Sequence, residues 1–197
     1  MNINSYFIEM LSPDSLKIAM PFLVEERKLI KRLLLDKSAK LLIAIGCGRG
    51  LYSDLAKYCK RYVGIDSLSD PDTAKKNIEF IASDFQQVQL NQAKGNKIIS
   101  FLFNLASYIN PNHIIEFINR NAITGDIVTI SEWNDDKCSA SIRKEYYKYI
   151  DNKIDDLLLV SKLQVKKIIK LNFKHINEYK YHSVIKNKYS KTTVIYL

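Results

Sequence analysis

Three glycines at alternate positions, Gly46, Gly48 and Gly50, follow the apolar run Leu41 to Ile45 and precede a helical pattern of Leu51, Leu55 and Tyr58. An apolar strand that runs into a glycine-rich turn and then a helix leaves main-chain N–H groups unpaired, and residues without side chains let a ligand come close to them. Sixteen residues beyond Gly50, Asp66 closes a second apolar run, Tyr62 to Ile65. Parallel pairing of the two runs delivers that carboxylate to the same crevice, where it can accept both hydroxyls of a ribose. A further acid, Asp84, stands in Ser83-Asp84-Phe85 after the mostly apolar Ile78 to Ala82. The dinucleotide fingerprint needs a third glycine at its sixth position, which here is Leu51, so the turn is the tighter GxGxG form. Cys47, Cys59 and Cys138 lack metal-ligand spacing, and no metal site is expected.

Taken together and in this order, the motifs resemble the class I methyltransferases that use S-adenosylmethionine. Their first motif is a strand, an acidic residue, a GxGxG turn and a helix; Asp66 matches the family's acid at the end of the second strand, and Ser83-Asp84-Phe85 its adenine-edge motif. The resemblance implies S-adenosylmethionine as cofactor, bound by Gly46, Cys47, Gly48, Gly50, Asp66, Asp84 and Phe85. Asn104 joins them, because the residues just past the family's fourth strand lie beneath the reactive sulfonium. Tyr108, in the same stretch, is a candidate for orienting the acceptor, and Tyr108, His113 and Glu132 are the candidates for a general base. Each also has a plain structural use: Asn104 as a turn residue, Tyr108 as a half-buried ring, His113 as a solvent-facing first-turn residue. The family usually carries Asp or Glu two positions before the first glycine, and Ala44 stands there instead. The cofactor's ammonium then needs other partners, backbone carbonyls or an N-terminal lid. The implied reaction is an in-line methyl displacement onto an oxygen or nitrogen, which asks the protein mainly to position the acceptor.

The elements that must hold these residues alternate strand and helix. Strands are expected at Lys40–Ile45, Arg61–Asp66, Ile78–Ala82, Lys97–Phe103 and Ile127–Ile130, with an antiparallel pair at Phe173–Tyr181 and Thr192–Leu197. Helices are expected at Leu23–Leu35, Leu51–Lys60, His113–Asn121 and Ser161–Lys170, with another inside Asn134–Asp156. In the first of them Leu23, Arg27, Ile30 and Leu34 form one stripe, with Glu25 and Glu26 elsewhere. This is an α/β fold: a doubly wound, mostly parallel seven-stranded sheet with helices on both faces and an antiparallel C-terminal strand pair. The expected organisation is a single domain, 1–197. It comprises an N-terminal helical lid or edge at 1–36, in which Tyr6, Phe7 and Met10 are lid candidates, and a cofactor-binding core at 40–133. An inserted helical segment follows at 134–160, then a final helix and strand pair at 161–197.

Charge leaves the partner open. From Met1 to Asp136 there are 16 basic and 16 acidic residues, and from Lys137 to Leu197 there are 14 and 5, so all of the net +9 lies in the last third. A small-molecule acceptor is the first reading, because no separate recognition domain accompanies the core. An RNA or protein substrate docking through the basic third is the second, with Arg143, Lys144, Tyr146 and Tyr147 as a stacking surface. Non-catalytic cofactor binding, suggested by Ala44, is the third. Trp133 beside Glu132 marks either an acceptor site or rim packing. No stretch reaches the roughly eighteen apolar residues that span a bilayer, and with an odd cysteine count the expected location is the cytoplasm.

Overall fold

A computed structural model describes residues 8–90, 96–153 and 171–197. Its centre is a seven-stranded sheet in the order β3-β2-β1-β4-β5-β7-β6. The strands are β1 (Leu41–Ile45), β2 (Arg61–Ile65), β3 (Ile78–Ile81), β4 (Lys97–Phe101), β5 (Ile127–Trp133), β6 (Tyr181–Lys186) and β7 (Ser190–Tyr196). The first five run parallel, and β7 pairs antiparallel with both β5 and β6. The strand order reverses between β1 and β4, which opens a crevice beyond their carboxyl ends. Register brings the tips level: Ile45 pairs with Ile65 on one side and Phe101 on the other, and Ile65 with Ile81.

Each face of the sheet has its own apolar layer, built by the strict alternation of strand side chains. Leu42 and Ala44 of β1 pack with Phe22, Ile30 and Leu34 of helix α2 (Met20–Asp36), which follows the short α1 (Pro13–Ile18). Ile43 and Ile45 face the other way, toward Ile114, Phe117 and Ile118 of α3 (Pro111–Asn121). The strands buried on both faces are nearly continuous in apolar residues, as parallel central strands must be. Asn110 caps α3 by accepting a hydrogen bond from the Asn112 N–H at 3.0 Å, and Pro111 supplies the preset φ of the first turn. Asn110→Ala should therefore lower the unfolding free energy by about 1 kcal/mol. Chemical denaturation checks this, and an unchanged midpoint would show that the cap carries no stability.

Several boundaries depart from the sequence expectation for identifiable reasons. The stretch after the glycine turn is not an α-helix over Leu51–Lys60 but a turn followed by a 3-10 helix, Ser53–Tyr58. Tyr52 is held at φ 64° with its ring buried and its hydroxyl bonded to α2, and a left-handed residue at the second position interrupts an α-helix begun at Leu51. Strand β4 stops at Phe101 because Phe103 and Asn104 turn into the left-handed region, at φ 42° and 59°. Strand β5 continues to Trp133, since β7 pairs along its whole length down to Ser190. Phe173–His175 forms a 3-10 turn rather than a strand, with Phe173 stacked on His182, and the strand begins at Tyr181. The inserted helix is α4 (Lys137–Lys153). Its Tyr146 and Tyr147 are buried, so these two rings offer no surface for stacking bases. Tyr6, Phe7 and the helix expected at Ser161–Lys170 lie outside the described residues.

Candidate active site

The turn after β1 is built by glycines at positive φ. At Gly46 (φ 76°) a Cβ would lie 2.5 Å from Leu105 Cδ2, so only glycine fits where the turn meets the β4 tip. The Gly46 N–H bonds to the Ile65 carbonyl at 2.9 Å, tying the turn to β2. Two residues on, the Gly48 N–H donates to Asp66 Oδ2 at 2.9 Å, while Asp66 Oδ1 accepts from the Leu68 N–H at 2.8 Å. Asp66 is thus half-buried and held by two main-chain donors. An ionised carboxylate has about four acceptor sites, which leaves capacity on both oxygens for a ligand.

A cleft of about 390 Å³ opens at these strand tips, a size at the low end for small-molecule sites. Gly46, Asp66, Asp84 and Phe85 line it, as do Phe103 and Tyr108 beyond β4. Asp84 is exposed and caps the 3-10 turn Phe85–Gln87 through the Gln86 N–H at 2.9 Å. The Phe85 ring is anchored edge-on against Phe101 and Phe117, so the floor beneath Asp84 is rigid. Met10 and Leu11 also line the cleft, and Leu11 lies over the turn: a Cβ on Gly48 would meet Leu11 Cδ1 at 2.6 Å.

No protein-family model matches the sequence, and no curated protein matches it. Solved structures do. The N-methyltransferase NodS from Bradyrhizobium japonicum WM9, in complex with S-adenosyl-L-homocysteine, superposes with a TM-score of 0.57 at 15% identity over 98% of this chain and 96% of that one. The magnesium protoporphyrin IX methyltransferase ChlM from Synechocystis PCC 6803, with the same molecule bound, gives 0.50 at 12% identity over 88% and 83%. The chain has the class I methyltransferase fold.

Within that methyltransferase fold the remaining sequence candidates separate. The Cys47 thiol is buried and faces Ser69 Oγ at 3.5 Å; burial pushes its pKa up to about 11, so it stays protonated. Gly50 (φ 111°) is packed by Phe80, 3.1 Å from where a Cβ would sit, and so serves the turn's contact with β3. Asn104 is buried, with its Oδ1 accepting from Ser107 Oγ at 2.8 Å and from the Trp133 N–H at 3.4 Å. It does not line the cleft; it braces the backbone that does. His113 sits in the first turn of α3, away from the lining, and Glu132 is buried in the sheet with Lys191 Nζ at 3.1 Å. Neither general-base candidate of this pair is brought to the cleft. Trp133 is core: it packs on Phe22 at 4.8 Å between ring centroids.

Two residues take places that the sequence does not give them. Glu26 of α2 is 1% exposed, with Oε2 taking the Tyr52 hydroxyl at 2.7 Å and Oε1 the Phe103 N–H at 3.0 Å. Burial raises its pKa to about 7 against the pull of those hydrogen bonds. Its spacing from Phe22 and Ile30 places it on the apolar stripe, a signal the sequence did contain. Tyr147 of α4, whose hydroxyl touches that of Tyr108, is the other.

Proposed function

We propose that this protein is a methyltransferase that binds S-adenosylmethionine in the cleft and transfers its methyl group to a small-molecule acceptor. The observation that carries the proposal is the Asp66 carboxylate, aimed into the cleft at the sheet's switch point by the Gly48 and Leu68 N–H groups. In this reading Asp66 takes the ribose hydroxyls and Asp84 the adenine edge, while the glycine turn lets the rest of the molecule lie against the main chain. Bound there, S-adenosylmethionine supplies a methyl group already activated by positive sulfur. The chain's own work is to hold the acceptor in line and exclude water, which Met10, Leu11 and the apolar residues beyond β4 do by closing around the cleft.

A small molecule is favoured as acceptor because the cleft is enclosed from the N-terminal side by Leu11 and has an apolar far end. One of the solved neighbours, ChlM, is named for a porphyrin substrate, which supports the same reading. Three free cysteines support a reducing, cytoplasmic setting, and among the described residues no helix is long and apolar enough to cross a membrane.

Asp66→Ala should weaken S-adenosylhomocysteine binding by about 1.5 to 3 kcal/mol, the worth of hydrogen bonds to a charged group. Isothermal calorimetry reads this directly. An unchanged affinity would remove Asp66 from the site and the proposal with it.

A further inference from the structure

We propose that Arg120, near the carboxyl-terminal end of α3, is a positioning residue that sets the base specificity of the cleft: acting through Gln86, it fixes the Asp84 carboxylate so that a nucleoside with a 6-amino group is accepted and one with a 6-carbonyl is rejected. The inference rests on the methyltransferase reading above and adds to it a residue that does not itself line the cleft.

Phe117, Arg120 and Asn121 stand at i, i+3 and i+4 on α3 and so share one face. All three hold the segment that follows β3. The Phe85 ring packs edge-on against Phe117, at 5.5 Å between centroids. An Arg120 Nη donates to the Gln86 carbonyl at 2.7 Å. Asn121 Oδ1 accepts from the Leu90 N–H at 2.7 Å, while its Nδ2 donates to the carbonyls of Phe117 at 3.1 Å and Val88 at 3.4 Å. Phe85–Gln87 is one turn of 3-10 helix, and a single turn fixes several dihedrals for little hydrogen bonding, so its shape is set by the longer helix that holds it.

The Gln86 carbonyl is one end of the link and the Asp84 carboxylate is the other. The Gln86 N–H donates to Asp84 Oδ1 at 2.9 Å, and Gln86 Nε2 donates to Oδ2 at 3.3 Å. One residue thus holds both carboxylate oxygens, and Arg120 holds that residue. Each oxygen keeps acceptor capacity for the cleft, which Asp84 and Gln86 both line. A carboxylate only accepts, so it matches the 6-amino group of adenine and opposes the 6-carbonyl of hypoxanthine. Hypoxanthine does offer a donor at the neighbouring N1–H, which a carboxylate free to swing would reach. With both oxygens tied, Asp84 makes that move only by giving up its bonds to Gln86. Discrimination between the two bases therefore depends on how firmly Asp84 is held, and the hold runs back to α3 through Arg120.

The test is calorimetric titration of S-adenosylhomocysteine and, separately, of S-inosylhomocysteine, in which a carbonyl replaces the 6-amino group. The wild-type protein should prefer the adenosyl compound by about tenfold or more. Arg120→Met should lower that ratio by about threefold or more. Asp84→Ala should bring the ratio near one, and Arg120→Met added to it should change the ratio no further, because Arg120 acts through Asp84. Should Arg120→Met fail to fold, Gln86→Met, on a partly exposed side chain, breaks the next link and decides by the same ratio. A wild-type protein indifferent to the base, an unchanged ratio in folded Arg120→Met, or a further change in the Asp84→Ala background would each overturn the inference. A merely structural clamp would lower the unfolding midpoint and leave the ratio alone. Failure of the wild-type protein to bind either compound overturns the parent reading instead, so the two failures are told apart.

Discussion

Gly48→Ile should abolish measurable S-adenosylhomocysteine binding in a protein that still folds. The wild-type residue sits at φ 51°, where a β-branched side chain is disfavoured by about 1 to 2 kcal/mol. Its new Cβ would stand 2.6 Å from Leu11 Cδ1, the free end of a flexible side chain, so that clash is relieved by moving Leu11. What cannot be relieved is the loss of the turn itself. The Gly48 N–H holds Asp66 Oδ2, so a shifted turn misplaces that carboxylate, while Leu11, pushed by the new side chain, moves within the cleft it lines. The combined loss is about 3 kcal/mol or more, at least a hundredfold in affinity. Calorimetry checks the binding and circular dichroism the fold. Normal affinity in a folded variant would mean that the ligand does not lie on this turn.

The second large effect is on stability against pH, and it comes from Glu26. The unfolded carboxyl ionises near its ordinary 4.5, whereas burial keeps the folded one protonated up to about 7. Between those values the folded state binds the extra proton, so the unfolding free energy falls as pH rises. The contribution is fully present below pH 4.5 and is lost as pH passes through about 7, a change of about 3 kcal/mol. The site tolerates both states because Tyr52 has two partners. Its hydroxyl lies 2.7 Å from Glu26 Oε2 and 3.0 Å from the Leu23 carbonyl, so it donates to the ionised acid or accepts from the neutral one. Glu26→Gln keeps an oxygen for the Phe103 N–H and an N–H for Tyr52, and should remove this slope. Urea unfolding of both proteins at several pH values between 4 and 8 gives the difference curve. Parallel curves would show that Glu26 does not titrate in this range.

These two cases mark what the chain's own letters disclose. The sheet and its turn are legible because their signals are local: glycines two apart after an apolar run, and an acid at the next strand's end, which parallel register carries to the turn. Glu26 reads as solvated because an acid in an amphipathic helix ordinarily faces water. Its partners, Tyr52 and the Phe103 N–H, come from two other segments that only the folded chain assembles. The same holds after the glycines. Leu51, Leu55 and Tyr58 carry a helical period, yet Tyr52 is pinned to α2, which follows a quite different part of the chain, and the pin selects a 3-10 turn. Tyr147, which reads as part of a stacking surface, and Trp133, which reads as an acceptor-site or rim residue, are both interior by packing. Ala44 needs no long-range account: it is fully buried on the α2 face of β1, among apolar side chains.

In the proposed complex an adenosine lies across the tips of β1, β2 and β3. A crystal structure of the protein with S-adenosylhomocysteine tests it most directly. The ribose hydroxyls should lie on Asp66, the adenine edge toward Asp84, and the homocysteine sulfur toward Tyr108. Nucleoside density anywhere else, or a cleft that stays closed by Met10 and Leu11 at saturating ligand, would contradict it.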